Sequence, residues 1–285
     1  MIPTNRMEGL WNMKKTEIYY FSGTGNSLYV ARELKKRIPE TTLIPLVNLS
    51  YKDNVQTNSE TVGFIFPIHL TMTPLIVQKF IENLSLKSAD YIFAIATRAG
   101  TQHRAFKDVE NILKRKDRSL NAYFTLNMAS NDPKREEWHA ATEAEISILE
   151  NEVQNNLDFI QKIILNKQKS HEEDNTYKDP VPGYTILSWI FPYVNRFYNV
   201  DFYSDSKCVG CGTCEKVCLS FKIKMNNGKP VWQENVECFL CNACLNYCPN
   251  QAIQIKSSRF FKMHTKDNGR YSHPYATADD IARQK

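Results

Sequence analysis

All eight cysteines of this 285-residue chain fall in two blocks, Cys208, Cys211, Cys214 and Cys218, then Cys238, Cys241, Cys244 and Cys248. Each block runs Cys, two residues, Cys, two residues, Cys, three residues, Cys. Thiolates two residues apart in a tight turn converge on one iron–sulfur cube, while a fourth Cys just inside a following helix points away from them. Two other chemistries use cysteine pairs. Paired knuckles bind structural zinc, but zinc takes four ligands per site and leaves the regular third and fourth Cys of each block unexplained. Disulfides suit a small secreted chain with a signal peptide, and this chain has neither property.

With Pro249 after the last Cys, the pattern resembles bacterial-type two-cluster ferredoxins, in which each block's fourth Cys ligates the other block's cluster. The resemblance implies one 4Fe-4S cluster on Cys208, Cys211, Cys214 and Cys248, and a second on Cys238, Cys241, Cys244 and Cys218. Leu219 stands where a second Pro often follows, so the backbone there lacks a fixed φ, but no ligand is lost.

These blocks need a larger scaffold, because the chain is too long for a ferredoxin alone and its length points to two domains. The apolar share of 42% is ample for a buried core. A net charge of +5 is mildly basic, but Lys and Arg are scattered rather than clustered in a stripe, which argues against nucleic-acid binding.

Thr16–Phe21 is β-rich and ends at Ser22-Gly23-Thr24-Gly25-Asn26-Ser27, after which Leu28, Val30, Ala31 and Leu34 have helical spacing. Strand, Gly-containing loop and helix in this order place backbone N–H groups at a helix N-terminus, where a phosphate is attracted. The loop contains no Lys or Arg, which argues against a nucleotide-hydrolysing loop of the form G-x4-G-K-S/T. The loop matches the flavodoxin pattern Ser/Thr-x-Thr-Gly-Asn-Ser/Thr at every fixed position, and the N-terminal domain resembles a flavodoxin. That resemblance implies that Ser22, Gly23, Thr24, Gly25, Asn26 and Ser27 hold the phosphate of FMN.

Further strands are expected at 42–45, 61–66, 91–97 and 122–127, with helices near 73–83, 104–114 and 136–166. The fold expected is α/β: a flavodoxin-like doubly wound parallel sheet of order 2-1-3-4-5, with a second, smaller α+β ferredoxin-like domain. In open sheets the ligand lies beyond the C-terminal strand ends at the switch point. Pro67, Ile68 and His69, then Thr97, Arg98 and Gly100, are therefore expected beside the flavin, with 128–131 as a third loop. Flavodoxins usually stack an aromatic ring on the flavin here, whereas this chain offers His69 and His103. An ordinary loop histidine and a solvated Arg98 are the plain alternatives.

The expected boundaries are a lead at 1–13, a flavodoxin-like FMN domain at 14–167, a linker and interdomain packing segment at 168–200, a two-cluster domain at 201–257, and a tail at 258–285. The apolar stretch Tyr184–Val200 is too short and too interrupted to span a membrane. No signal-peptide core precedes it, and a full set of committed thiols suits a reducing compartment, hence the cytoplasm. No catalytic constellation stands out.

Together the halves resemble the flavodoxin–ferredoxin fusion proteins of anaerobic bacteria and archaea, over roughly residues 16–256. The resemblance implies FMN, two 4Fe-4S clusters and electron transfer between them. Such a chain would couple two-electron and one-electron redox partner proteins. Two alternatives stay open: a flavin-dependent reductase of a quinone, nitro compound or free flavin, and a ferredoxin whose flavodoxin-like domain is a docking scaffold without flavin.

Overall fold

The computed structural model describes residues 15–69, 72–99, 105–171, 200–258 and 262–285. The lead at 1–13, Gly100, His103 and almost all of Tyr184–Val200 lie outside the described residues. The N-terminal domain runs β1 (Thr16–Tyr20), α1 (Asn26–Arg37), β2 (Thr41–Pro45), β3 (Thr61–Pro67), α2 (Leu75–Asn83), β4 (Tyr91–Arg98), α3 (Ala105–Lys114), β5 (Ala122–Asn127), α4 (Glu143–Leu165) and β6 (Ser170–His171). The strands pair in parallel in the order β2-β1-β3-β4-β5-β6. The first five follow the flavodoxin-like order 2-1-3-4-5, as expected.

Strand alternation divides the side chains between two cores. Ile92, Ala94 and Ala96 of β4 face one core with Val77, Phe80, Val109 and Ile112 from α2 and α3. Tyr91, Phe93 and Ile95 face the other, with Leu28 and Leu34 of α1 and Leu157 and Ile160 of α4. Burial on both faces is what a parallel sheet between helices requires.

Two local readings need correction. Helix α4 begins at Glu143 rather than near residue 136, because Thr142 and Glu145 form a capping box that fixes its start. The charged segment after it is not wholly linker, since Ser170 and His171 pair with Ala122 and Tyr123 as the sheet's sixth strand.

The second domain contains β7 (Phe202–Ser204), α5 (Thr213–Lys216), β8 (Ile223–Asn226), β9 (Lys229–Trp232), α6 (Ala243–Asn246) and β10 (Ile253–Ile255). Strand β7 pairs with β10 and β8 with β9, both antiparallel. The β8–β9 hairpin turns at Asn227 and Gly228, both at positive φ, as a two-residue turn demands. Val217, Leu219 and Ala243 belong to the same core as Phe21, Ile76 and Val77, so the two domains share buried apolar surface. Ile281, in the short tail helix α7 (Ala278–Ala282), joins them there. No helix among the described residues is long and apolar enough to cross a membrane.

Gly63 sits in the middle of β3, where a Cβ would overlap the Phe93 ring. Gly63→Ala is expected to lower stability by about 1–3 kcal/mol through overpacking. Denaturant titration checks this, and combining it with Phe93→Leu should recover part of the loss.

Candidate functional site

Each cysteine block folds around one short helix. Gly212 precedes α5 and Asn242 precedes α6, both in the left-handed region, at φ 75° and 57°. Gly210 and Leu240 occupy equivalent positions two residues earlier, also at positive φ. Alternation of this kind turns successive N–H groups into one concavity, a backbone arrangement that receives anions and iron–sulfur centres. Glycine does this without steric cost in the first block, whereas Leu240 does it against its own Cβ.

The fourth cysteines cross between blocks. Cys208, Cys211, Cys214 and Cys248 line one small cavity, with Gly210, Gly212 and Ile253. Burial pushes the Cys214 thiol up to about 11, and Cys248, Cys211 and Cys208 push it the same way. In the other set, burial pushes Cys241 up to about 12, with Cys238 and Cys218 adding to the effect. Cys244 is raised well above its ordinary value by burial, with Cys238, Cys241 and Cys218, and Cys214 of the first set, as charged neighbours. These are the two sets that the ferredoxin resemblance implies. Among the described residues no three His, Cys, Asp or Glu side chains could hold a single metal ion. A cube attaches its four ligands to different irons and spaces them more widely. The donor chemistry and the crossed sets fit two 4Fe-4S clusters.

Sulfur atoms also receive hydrogen bonds. Leu240 N–H donates to Cys238 Sγ at 3.4 Å, and Ala252 N–H to Cys248 Sγ at 3.2 Å. Lys285 Nζ donates to the carbonyls of Glu215 and Cys218 at 3.0 and 3.3 Å. Arg270 donates to the Leu245 and Ile253 carbonyls, each at 3.0 Å, bringing a second cation near Cys248.

The Ser22–Ser27 loop lies between β1 and α1 at the switch point, and every residue of it is buried. Several of its groups are already engaged. Ser22 N–H donates to Gln284 Oε1 at 2.9 Å, and Gly25 N–H to Ser22 Oγ at 3.1 Å. Asn131 Nδ2 donates to Thr24 Oγ1 at 2.6 Å, Asn26 Nδ2 to the Ala129 carbonyl at 3.0 Å, and the Ser27 and Thr97 hydroxyls lie 2.8 Å apart. A Cβ on Gly23 would overlap the Cys241 carbonyl oxygen, and one on Gly25 would overlap Ala276. An FMN phosphate does not fit this loop, because the cysteine turn and the tail fill the space it would need.

The described residues expected beside a flavin have protein neighbours. Arg98 is neither a solvated charge nor open to a flavin: it is buried and donates from Nε to Asn127 Oδ1 at 2.9 Å. Thr97 is turned to Ser27, and Ile68 N–H donates to the Thr97 carbonyl at 3.0 Å. Pro67 ends β3, half-buried. His69 stands edge-on to Phe21 at 5.9 Å, and Phe21 edge-on to Phe239 at 6.2 Å, so a side chain of the second cysteine block comes where a flavin was expected. Burial pushes the His69 imidazole down to about 4, and Lys134 pushes it the same way. Beside it opens a cleft of about 820 Å³ whose walls include Tyr51, His69, Leu75, Phe221 and Cys238, and none of the loop residues.

Asn131 belongs to the third expected loop and Tyr271, whose hydroxyl donates to Asn26 Oδ1 at 3.0 Å, to the tail; sequence reasoning missed Gln284. Nothing local marks Gln284, because its partner Ser22 lies 262 positions away.

This geometry defines the C-terminal region as an iron–sulfur module of the two-cluster class. Comparison with known proteins agrees: residues 207–253 match the family described as "4Fe-4S dicluster domain". No curated protein matches the chain. Among solved structures it is similar to a putative flavoprotein from Bacteroides uniformis, at 19% identity and a TM-score of 0.34, over 41% of this chain and 92% of that one. It is also similar to an FMN-dependent NADH-azoreductase from Bacillus anthracis, at 10% identity and a TM-score of 0.34, over 54% and 99%. A third is rubredoxin oxygen:oxidoreductase from Desulfovibrio gigas, at 15% identity and a TM-score of 0.30, over 54% and 37%. The flavodoxin-like fold rests on the strand order above.

Tail residue His273 offers a test of the docked arrangement. It is 1% exposed and stacks on Tyr29 with ring centres 4.3 Å apart. Its Nε2 lies 3.4 Å from Glu150 Oε1, and Tyr275 flanks the ring. Burial pushes the His273 imidazole down to about 4. An unfolded histidine binds its proton near 6.5, so the unfolded state holds more protons between these values, and stability falls as pH drops through that window. Denaturant titrations should show a loss on the order of 2 kcal/mol between about pH 6.5 and 5, and His273→Phe should flatten the slope.

Proposed function

We propose that this protein is an electron carrier built on two 4Fe-4S clusters, held by Cys208, Cys211, Cys214 and Cys248 and by Cys238, Cys241, Cys244 and Cys218. The observation that carries the reading is that Cys248 of the second block lines one cavity with Cys208, Cys211 and Cys214 of the first. When bound, each cluster supplies reversible one-electron chemistry.

The chain's own residues give the two sets different surroundings. Cys211 and Val209 are exposed at the first set, with the exposed Lys207 and Lys229 nearby. That edge suits contact with an acidic redox protein, because interleaved lysines steer such a partner. The second set lies where Phe239 and Ala243 pack against the N-terminal domain, with Cys238 on the wall of the cleft beside it. Adjacent placement of Cys214 and Cys244 joins the sets. FMN, which the flavodoxin resemblance implies, has no place in the loop as folded, so no electron is routed through it here.

A second reading, reduction of a small acceptor such as a quinone, is favoured by the cleft of about 820 Å³ beside Cys238 and His69. Mixing the reduced protein with a water-soluble benzoquinone separates the two. Saturable oxidation that weakens several-fold in Tyr51→Ala marks a binding site, whereas a rate linear in quinone marks collision with a carrier.

The carrier proposal is checked by anaerobic reconstitution, with about eight irons expected per chain. Cys218→Ala should leave about four irons, all in the set of Cys208, Cys211, Cys214 and Cys248. If it instead removes the cluster of its own block, the crossed arrangement is wrong.

A further inference from the structure

The Ser22–Ser27 loop has the backbone of an anion site, yet what meets it is neutral and belongs to the chain itself. Gln284, fully buried, makes a two-point pair with Ser22: its Oε1 accepts from Ser22 N–H at 2.9 Å, and its Nε2 donates to the Ser22 carbonyl at 2.8 Å. One amide side chain thus satisfies both backbone groups of the loop's first residue, as a neighbouring strand would. His273 N–H donates to the Thr24 carbonyl at 2.8 Å, a contact that a phosphate dianion, having no proton to donate, does not replace.

The glycines point the same way. Absence of Cβ at Gly23 admits the Cys241 carbonyl, and absence of Cβ at Gly25 admits Ala276 and His273. Both openings are taken by protein. The cover is tied down around its rim: Arg32 pairs with Asp280 at 2.5 Å, and Tyr247 Oη donates to the Ala276 carbonyl at 3.0 Å. Asn246 Nδ2 donates to the Asn131 carbonyl at 3.0 Å. Beyond Gln284, Lys285 reaches the carbonyl of Cys218, so the tail touches the loop and a ligand of the second set within two residues.

We propose that the Ser22–Ser27 loop is an internal docking site in which Gln284 takes the acceptor position of a phosphate and Cys241 lies on Gly23. The flavodoxin-like domain thereby holds the ligand turn of the second cluster rather than FMN. This rests on the two-cluster reading, and the iron count tests that separately.

The experiment uses the full chain with clusters reconstituted. FMN is titrated in, and its fluorescence and its retention on ultrafiltration are read. Hydrogen exchange of the 22–27 amides is followed in the same samples. The wild type should retain no FMN at micromolar concentration, and FMN should leave exchange unchanged. Gln284→Ala should speed exchange of these amides by about tenfold or more, since the cover loses its hold on Ser22. Gly23→Ala should shift or remove the EPR signal of the cluster on Cys218, Cys238, Cys241 and Cys244, leaving the other signal in place. Stoichiometric FMN retention by the wild type overturns the proposal, even with about eight irons bound. Unchanged exchange in Gln284→Ala, or two unchanged EPR signals in Gly23→Ala, overturns it as well. Should Gly23→Ala fail to fold, the FMN and Gln284→Ala measurements decide.

Discussion

The seating of the second cysteine block on the sheet depends on the close approach of one carbonyl to one glycine. The Cys241 carbonyl lies against Gly23 at a distance that no side chain would allow. That approach sets the second cysteine turn on the C-terminal ends of the parallel strands, where an open α/β sheet ordinarily receives its ligand. Val217, Leu219 and Ala243 then extend the core around Phe21 and Ile76. The domains are therefore not beads on a linker. Burial of this kind, at about 25 cal/mol per Å² of apolar surface, makes their relative position part of the fold.

The two cysteine sets share a backbone design but not an environment. Both turns pass through two left-handed residues, glycines in one case and Leu240 and Asn242 in the other. Cys211 is open to solvent, while Cys244 is pushed far from its ordinary range by burial. Burial and hydrogen bonding to sulfur are the means by which a protein sets cluster potentials. Identical ligand spacing thus yields two inequivalent centres, and the inequivalence comes from the neighbouring domain.

How much of this was legible follows the range of the interactions. Cysteine spacing and the Ser22–Ser27 loop are local patterns, and the loop runs from β1 into α1 as its sequence predicts. The five main strands were legible because each is a continuous apolar run between polar breaks. The start of α4 was misplaced because Glu136 and Glu137 look helical, while the Thr142–Glu145 capping box decides the matter seven residues later. Strand β6 has only two residues, too few for any period. Arg98 was read as facing a ligand or solvent, and its bond to Asn127 depends on a neighbouring strand. The loop was recognised by its backbone requirement, but its occupant depends on Gln284, 262 positions along the chain.

That separation sets an order of assembly. Ser22 leaves the ribosome long before Gln284, and strands β1 to β5 contain what they need to pair while synthesis continues. The loop is made early and filled late. Until residues 270–285 arrive, Gly25 is without the cover of His273 and Ala276, and Cys218 is without Lys285. The second set is therefore completed last, by a tail residue that reaches the Cys218 carbonyl.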